Sequence, residues 1–256
     1  MTLPIPPAPS TPPARSWLDE PWCIIDTETT GLTDPAVVEL GAVIMHRGQV
    51  IDWGSEVYHP GRLIEPQAAA VHGITDAMVA LAPRLDAASA WSVVDPDAPP
   101  TPSPTTPLAR IGTWARAHGA RTLVAYNGLG FDFELLAKST PNAWPRFTAH
   151  FAVVADPLVL VRTDAVGRFW KGSGRHRLTA VAERFGCADP ETGMASQAHR
   201  ATWDCVLAGR VLWHLRDAMP EPAIVTRTAS AWFSATHQSQ RAAFERWLAR
   251  QPPPQA

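Results

Sequence analysis

Residues 22–58 carry three apolar, β-branched runs in succession: WCIIDTE, AVVELGAVIM and VIDWGSEVY. The last two are joined at Arg47-Gly48-Gln49. Such runs read as strands, with glycine marking the bend. PQAAAVHGITDAMVA then reads as two short helical turns broken at Gly73. From residue 107 helices and strands alternate. PLARIGTWARAHG has the proline start and glycine stop of a helix. TLVAY is a strand, FDFELLAKS begins a helix, and FAVVAD is a strand whose Asp156-Pro157 end supplies an N-cap and a first-turn proline. LTAVAERFG, ATWDCVLAGRVLWHL and, in the tail, SQRAAFERWLAR read as further helices. Strands first, then alternation, predict an α/β fold with a mixed sheet flanked by helices on both faces.

The 256 residues suit one medium domain with appendages. A net charge of −2 excludes a generally basic nucleic-acid coat but leaves room for a local basic groove. The three cysteines, Cys23, Cys187 and Cys205, form no CxxC, which argues against a disulfide framework or a zinc site and for a reducing cytoplasm. No apolar run has the length of a membrane span, and the N-terminus lacks the apolar core of a secretory signal. Fifteen of the 26 prolines fall in residues 1–15, 95–107 and 251–256. The expected layout is a disordered Pro-rich tail at 1–15, a domain at 16–219 interrupted by a Pro-rich surface insertion at 95–107, and a C-terminal helix and tail at 220–256.

The first strand runs directly into Asp26 and Glu28, with no basic residue nearby in sequence. Residues two apart on a strand point to one face. Two adjacent carboxylates raise each other's pKa unless a cation lies between them. Oxygen-only ligands suit Mg²⁺ or Mn²⁺. On the pair alone, two solvated acids at an exposed strand end is the simpler reading. Asp132 follows the second buried strand, and His199 and Asp204 bracket the start of a late helix. Each of these has an ordinary reading too, as helix cap, surface histidine or exposed acid. Together they supply four carboxylates and an imidazole, which is the equipment of a two-metal phosphodiester hydrolase.

IIDTETTGL, AYNGLGFD and HRATWD, in this order, resemble the three motifs of the DEDDh 3′–5′ exonucleases, the family of the proofreading epsilon subunit, the three-prime repair exonucleases, ribonuclease T and oligoribonuclease. VVELGAV, VHGIT and HRLTAVAERFG match lesser features of that family, and the resemblance covers residues 20–215. It implies a ribonuclease H-like fold with a five-stranded mixed sheet. It implies that Asp26, Glu28 and Asp204 hold one metal, that Asp26 reaches a second and that Asp132 helps through water. His199 is implied as the general base, with nucleoside 5′-monophosphates as products. The sequence departs from the family at Tyr126-Asn127, where His-Asn is common, and this bears on substrate positioning rather than on ligation.

The resemblance further implies that Thr29, Thr30 and Gly31 form a turn at the terminal nucleotide, that Leu32 packs against its base, and that His72 and Asn127 border its pocket. A positive φ is expected at Gly31. VRTDAVGRFWKGSGRHR interleaves Arg168, Lys171 and Arg175 with Trp170, a combination suited to tracking and stacking a single strand, although a solvated loop has the same composition. The function expected is exonucleolytic hydrolysis at DNA 3′ ends. The alternatives are trimming of RNA 3′ ends, and a proofreading or clamp-associated subunit that recruits a replication or repair protein through its C-terminal tail. QRAAF at Gln240–Phe244 carries that last idea only faintly.

Overall fold

The computed structural model describes residues 16–86, 106–167, 174–187 and 200–250. Residues 1–15, insertion residues 95–105, Arg168, Trp170, Lys171, His199 and residues 251–256 lie outside the described residues. Pro107, counted above with the insertion, is buried in the first turn of a helix.

Three strands open the fold: β1 (Trp22–Thr29), β2 (Val37–His46) and β3 (Gln49–Val57), paired antiparallel in sequence. The β2–β3 turn places Arg47 at φ 51° and Gly48 at φ 78°. Two successive positive φ values match the twist of the flanking strands. β4 (Thr122–Val124) and β5 (Val153–Ala155) then add parallel to β1, giving a five-stranded mixed sheet in the order β3-β2-β1-β4-β5. Because β1, β4 and β5 run the same way, the residues that follow each of them gather at one end of the sheet.

The pleat sorts side chains onto two faces. Trp22 and Ile24 of β1, with Val43 and Met45 of β2, pack under helix α9 (Ala201–Leu215). Cys23 and Ile25 face the other layer, with Leu40, Ala42 and Ile44, under α3 (Pro107–Ala117) and α4 (Asp132–Ser139). Two glycines bring α9 down onto the sheet. A Cβ at Gly41 would lie 2.7 Å from the Ala201 carbonyl carbon and the Thr202 nitrogen, and one at Gly209 would collide with Ile24 and Met45.

Helices α1 (Pro66–His72) and α2 (Asp76–Val79) are separated at Gly73, φ 73°, as the sequence predicts. Short helices α5 (Trp144–Thr148), α6 (Pro157–Val161), α7 (Asp164–Gly167), α8 (Leu178–Arg184) and α10 (Glu221–Ile224) complete the layers. The final helix, α11, spans Thr226–Leu248 and so begins well before the tail segment in which the sequence suggested a helix. Its first turns are rich in Ser and Thr, which are weak helix formers, and packing supplies what propensity does not. Ala229 and Phe233 are buried, and Ser230 Oγ accepts from Val154 N on the open edge of β5 at 2.9 Å. Trp17 Nε1 donates to Ala223 O at 2.8 Å and its ring meets Phe233, so residues 16–22 and the C-terminal helices lock together. Among the described residues, no helix is long and apolar enough to cross a membrane.

Candidate active site

Asp26 and Glu28 continue the face of β1 that begins with Trp22 and Ile24, and α9 sets Asp204 in its first turn above them. One carboxylate oxygen from each of Asp26, Glu28 and Asp204 lies within 4.8 Å of the others. Burial, followed by the charges of Asp132, Asp204, Glu28 and Glu39, pushes the Asp26 carboxyl well above the usual range. Burial and then Asp204 push Glu28 up to about 8, against the pull of Arg200. Three partly desolvated carboxylates this close need a proton or a cation. The donors are all hard oxygens, with no nitrogen or sulfur among the three, and so fit a hard divalent ion.

Asp132 approaches from the other side. Thr27 lies between Asp26 and Glu28 and so belongs to the opposite face, and both its backbone N and its Oγ1 donate to Asp132 Oδ1, at 3.1 and 2.6 Å. Asp132 is therefore held against β1 at Thr27, next to the three-carboxylate group, and its charge is the foremost one acting on Asp26. Burial raises it to about 6, held back by the Thr27 hydrogen bonds. The turn leading to it is built on Asp156. Its Oδ1 accepts from Asn127 N and Leu158 N, both at 2.9 Å, and its Oδ2 accepts from Leu129 N at 3.2 Å. The sequence assigned Asp156 only the cap of α6. It also holds the Gly128–Gly130 turn and keeps Asn127 in the left-handed region at φ 63°.

The turn after Glu28 uses its own side chains for its shape. Thr29 Oγ1 donates to Gly31 O at 3.1 Å, and Thr30 Oγ1 accepts from Ala36 N at 3.1 Å. Gly31 has φ 152°, and the Glu65 carboxylate fills the place a Cβ would take. What the turn presents outward is Leu32, which is 88% exposed and so is not part of the core. His72 is buried beneath it. Its Nδ1 accepts from Ile74 N at 3.0 Å, so Nε2 carries the proton and donates to Thr29 O at 3.2 Å.

Two residues that the sequence reading missed secure Asp204. Glu39 lies directly across from Glu28 in the sheet, is fully buried, and accepts from Arg200 Nη2 at 2.7 Å and Nε at 2.9 Å. It also accepts from Ala201 N at 3.2 Å, satisfying a donor at the start of α9. One carboxylate thus ties β2 to the helix that carries Asp204. The available signal was a lone acid inside the apolar run VVELGAVIM. Its partner, 161 residues away, is not readable from one sequence. Arg175 lies in an exposed loop fastened to the site by Tyr126, whose hydroxyl donates to His176 O at 2.6 Å. His199 falls just outside the described residues, next to Arg200.

An exonuclease family profile of the RNase T type matches residues 23–94. An exonuclease of Escherichia phage 186 is 37% identical over 205 residues, covering 75% of this chain and 86% of that protein. Exodeoxyribonuclease 10 of Escherichia coli K12 is 44% identical over 63 residues, 25% of this chain but only 28% of that protein's length. A DNA polymerase III epsilon-like protein of Rhodobacter capsulatus is 42% identical over 212 residues, 79% of this chain and 25% of that protein. Among solved structures, exonuclease X in complex with 5′-overhanging duplex DNA superposes with TM-score 0.51 at 24% identity, covering 81% of this chain and 99% of that one. The E. coli exonuclease I complex with single-stranded DNA gives TM-score 0.54 at 18% identity, covering 79% of this chain and 42% of that one.

Proposed function

The chain belongs to the RNase T-type exonuclease family, and on that premise we propose that it removes nucleotides from the 3′ ends of DNA, releasing nucleoside 5′-monophosphates. The observation that carries this reading is the convergence of Asp26, Glu28 and Asp204 within 4.8 Å at the end of the central strand. DNA is favoured as substrate because relatives and structural neighbours are named for acting on it or binding it.

In this scheme Asp26, Glu28 and Asp204 would hold Mg²⁺ or Mn²⁺, two ions per site, with Asp132 in support from its place against Thr27. Bound divalent ions lower the pKa of water and offset charge on the attacking and leaving oxygens. The protein's own groups do the rest. Glu39 and Asp156 fix the two segments that bear Asp204 and Asp132 before substrate arrives. The Thr29–Gly31 turn, braced by His72 and Glu65, presents backbone to the terminal nucleotide, and exposed Leu32 covers an apolar base face. Asn127 borders the same pocket. His199 accepts the proton of the attacking water, as an imidazole near neutrality does well. The three buried free thiols accord with a reducing cytoplasm.

The test is degradation of 5′-labelled single-stranded DNA, frayed duplex and RNA with Mg²⁺, Mn²⁺ or chelator. A ladder shortening from the 3′ end of DNA, abolished by chelator, is expected. Degradation of RNA alone would transfer the proposal to RNA 3′-end trimming, and cleavage unaffected by chelator would overturn it.

A further inference from the structure

A strand entering this site meets an unusual concentration of like charge. Asp26, Glu28, Asp132 and Asp204 gather at the end of β1, and Arg200, bonded to Glu39, also pulls on Glu28. Metal ions held by Asp26, Glu28 and Asp204 would offset charge at the scissile bond, whereas the next phosphates lie beyond their reach. Some positive surface must face the strand beyond the metals.

The described residues offer one next to the Asn127–Phe131 turn, assembled from three separate elements. Arg162 caps the C-terminal end of α6 and is exposed. The Gly174–Arg177 loop is drawn to the same place by the Tyr126–His176 hydrogen bond. From the C-terminal side, α11 lays His237 against the turn itself: a Cβ on Gly130 would come 3.3 Å from His237 Nε2, so the glycine is what lets the ring close up. One turn further on, Gln240 Nε2 donates to Val159 O at 2.9 Å and fixes the helix to α6, and Arg241, which also pairs with Glu245 at 3.1 Å on the exposed side of the helix, stands 3.9 Å from Glu134 of α4. Burial and then the charges of Arg162 and Arg241 keep the His237 imidazole below its ordinary pKa, with only Glu134 opposing, and Arg162 acts likewise on His176. The Gln240–Val159 hydrogen bond brings the end of α6 that carries Arg162 alongside the part of α11 that carries His237 and Arg241, at the edge of the turn that leads to Asp132.

We propose that Arg162 and Arg241, together with the His237 ring, form a substrate-binding rim that holds the phosphates of the incoming single strand next to the active site. Arg162 and Arg241 supply phosphate contacts, and the neutral imidazole offers a flat face to a base. Helix α11, which lies wholly beyond the family resemblance in sequence, is on this account part of the substrate path. The inference rests on the reading of the chain as a nuclease for nucleic-acid 3′ ends.

The experiment measures affinity for a fluorescent oligo(dT) strand against salt, from about 50 to about 200 mM, in a background of Asp204→Asn so that turnover does not interfere. Replacing both arginines, Arg162→Gln with Arg241→Gln, is expected to weaken binding about tenfold or more at the low-salt end. It should also flatten the slope of log affinity against log salt by about 1.4, since each of the two strand phosphates no longer neutralised contributes about 0.7. Arg227→Gln, an exposed arginine at the start of the same helix, is the comparison and should leave the slope unchanged. His237→Ala should weaken binding without changing the slope, because a neutral ring releases no counterion. An unchanged slope in the double variant, or an equal change with Arg227→Gln, overturns the rim. If the wild-type chain bound DNA but failed to degrade it in any metal, the nuclease reading would fall while the binding series still tested the rim.

Discussion

Removing the metal turns the carboxylate cluster into a pH-sensitive weakness of the fold. Glu28 has an ordinary pKa of 4.5 and is raised to about 8 in the folded chain, first by burial and then by Asp204. An acid whose folded pKa lies above its unfolded value binds its proton more tightly when folded. The stability it contributes is full below about 4.5 and is lost as pH rises through about 8. At about 1.4 kcal/mol per pH unit, the whole gap corresponds to about 5 kcal/mol, of which about 3 kcal/mol disappears between about pH 5 and about pH 8. The acids titrate against one another, so this loss is counted once for the cluster. For a folded region of this size it lowers the melting temperature by about 6–12 °C. The assay is thermal or urea unfolding in chelator at both pH values, for wild type and for Glu28→Gln. Gln has the shape of the protonated acid and no charge to bury. The difference in stability between variant and wild type should therefore open by about 3 kcal/mol on going from the lower to the higher pH. Mg²⁺ or Mn²⁺ should restore wild type at the higher pH and leave the variant unmoved. Equal stability of chelated wild type at both pH values, or parallel curves for the two proteins, would refute the claim that Glu28 is held protonated in the metal-free fold.

Asp26→Ala and Asp204→Ala should each abolish metal-dependent degradation while leaving a folded chain that is slightly more stable in chelator; near-normal activity in either would remove it from the site. His199→Asn should retain metal and strand binding but lose about 10²–10⁴-fold in turnover, and the wild-type rate should rise with pH through the imidazole range near about 6.5. Wild-type turnover in that variant at saturating substrate would make His199 a bystander. Gly41→Ala drives a methyl group into the backbone at Ala201–Thr202. A cost of about 1–3 kcal/mol in unfolding is expected, together with weakened Mn²⁺ binding by calorimetry as Asp204 is displaced; unchanged metal affinity would show that α9 tolerates the shift.

The sheet was legible because its strands announce themselves locally. β-Branched runs, the Arg47-Gly48 turn and the proline and glycine boundaries of α3 are properties of neighbouring residues, and they survive packing. Asp26 and Glu28 were legible as a pair for the same reason, since alternation along one strand puts them on one face. Glu39 and Arg200 were not, because their pairing depends on α9 crossing β2, a long-range fact that no local pattern encodes. Asp156 was half legible: its cap on α6 is a local bond, whereas its hold on Asn127 and Leu129 requires β4 and β5 to be neighbours. The first half of α11 escaped notice because Thr226 to Ser239 has little apolar period of its own, and burial of Ala229 and Phe233 supplies the reason for it to be helical.

The hydrogen bond from Val154 N to Ser230 has a consequence for solubility. β5 is the last strand on its side of the sheet, and an unpaired strand edge is a template on which another copy can add a strand. Where a neighbouring strand would bond, α11 supplies a serine hydroxyl and lays a helix along the edge. A chain cut at residue 219 would retain all four acids and the imidazole of the proposed site, yet it would uncover that edge together with the apolar surface beneath Phe233. Its expected failure is self-association, with soluble yield lost before any defect in chemistry could be measured.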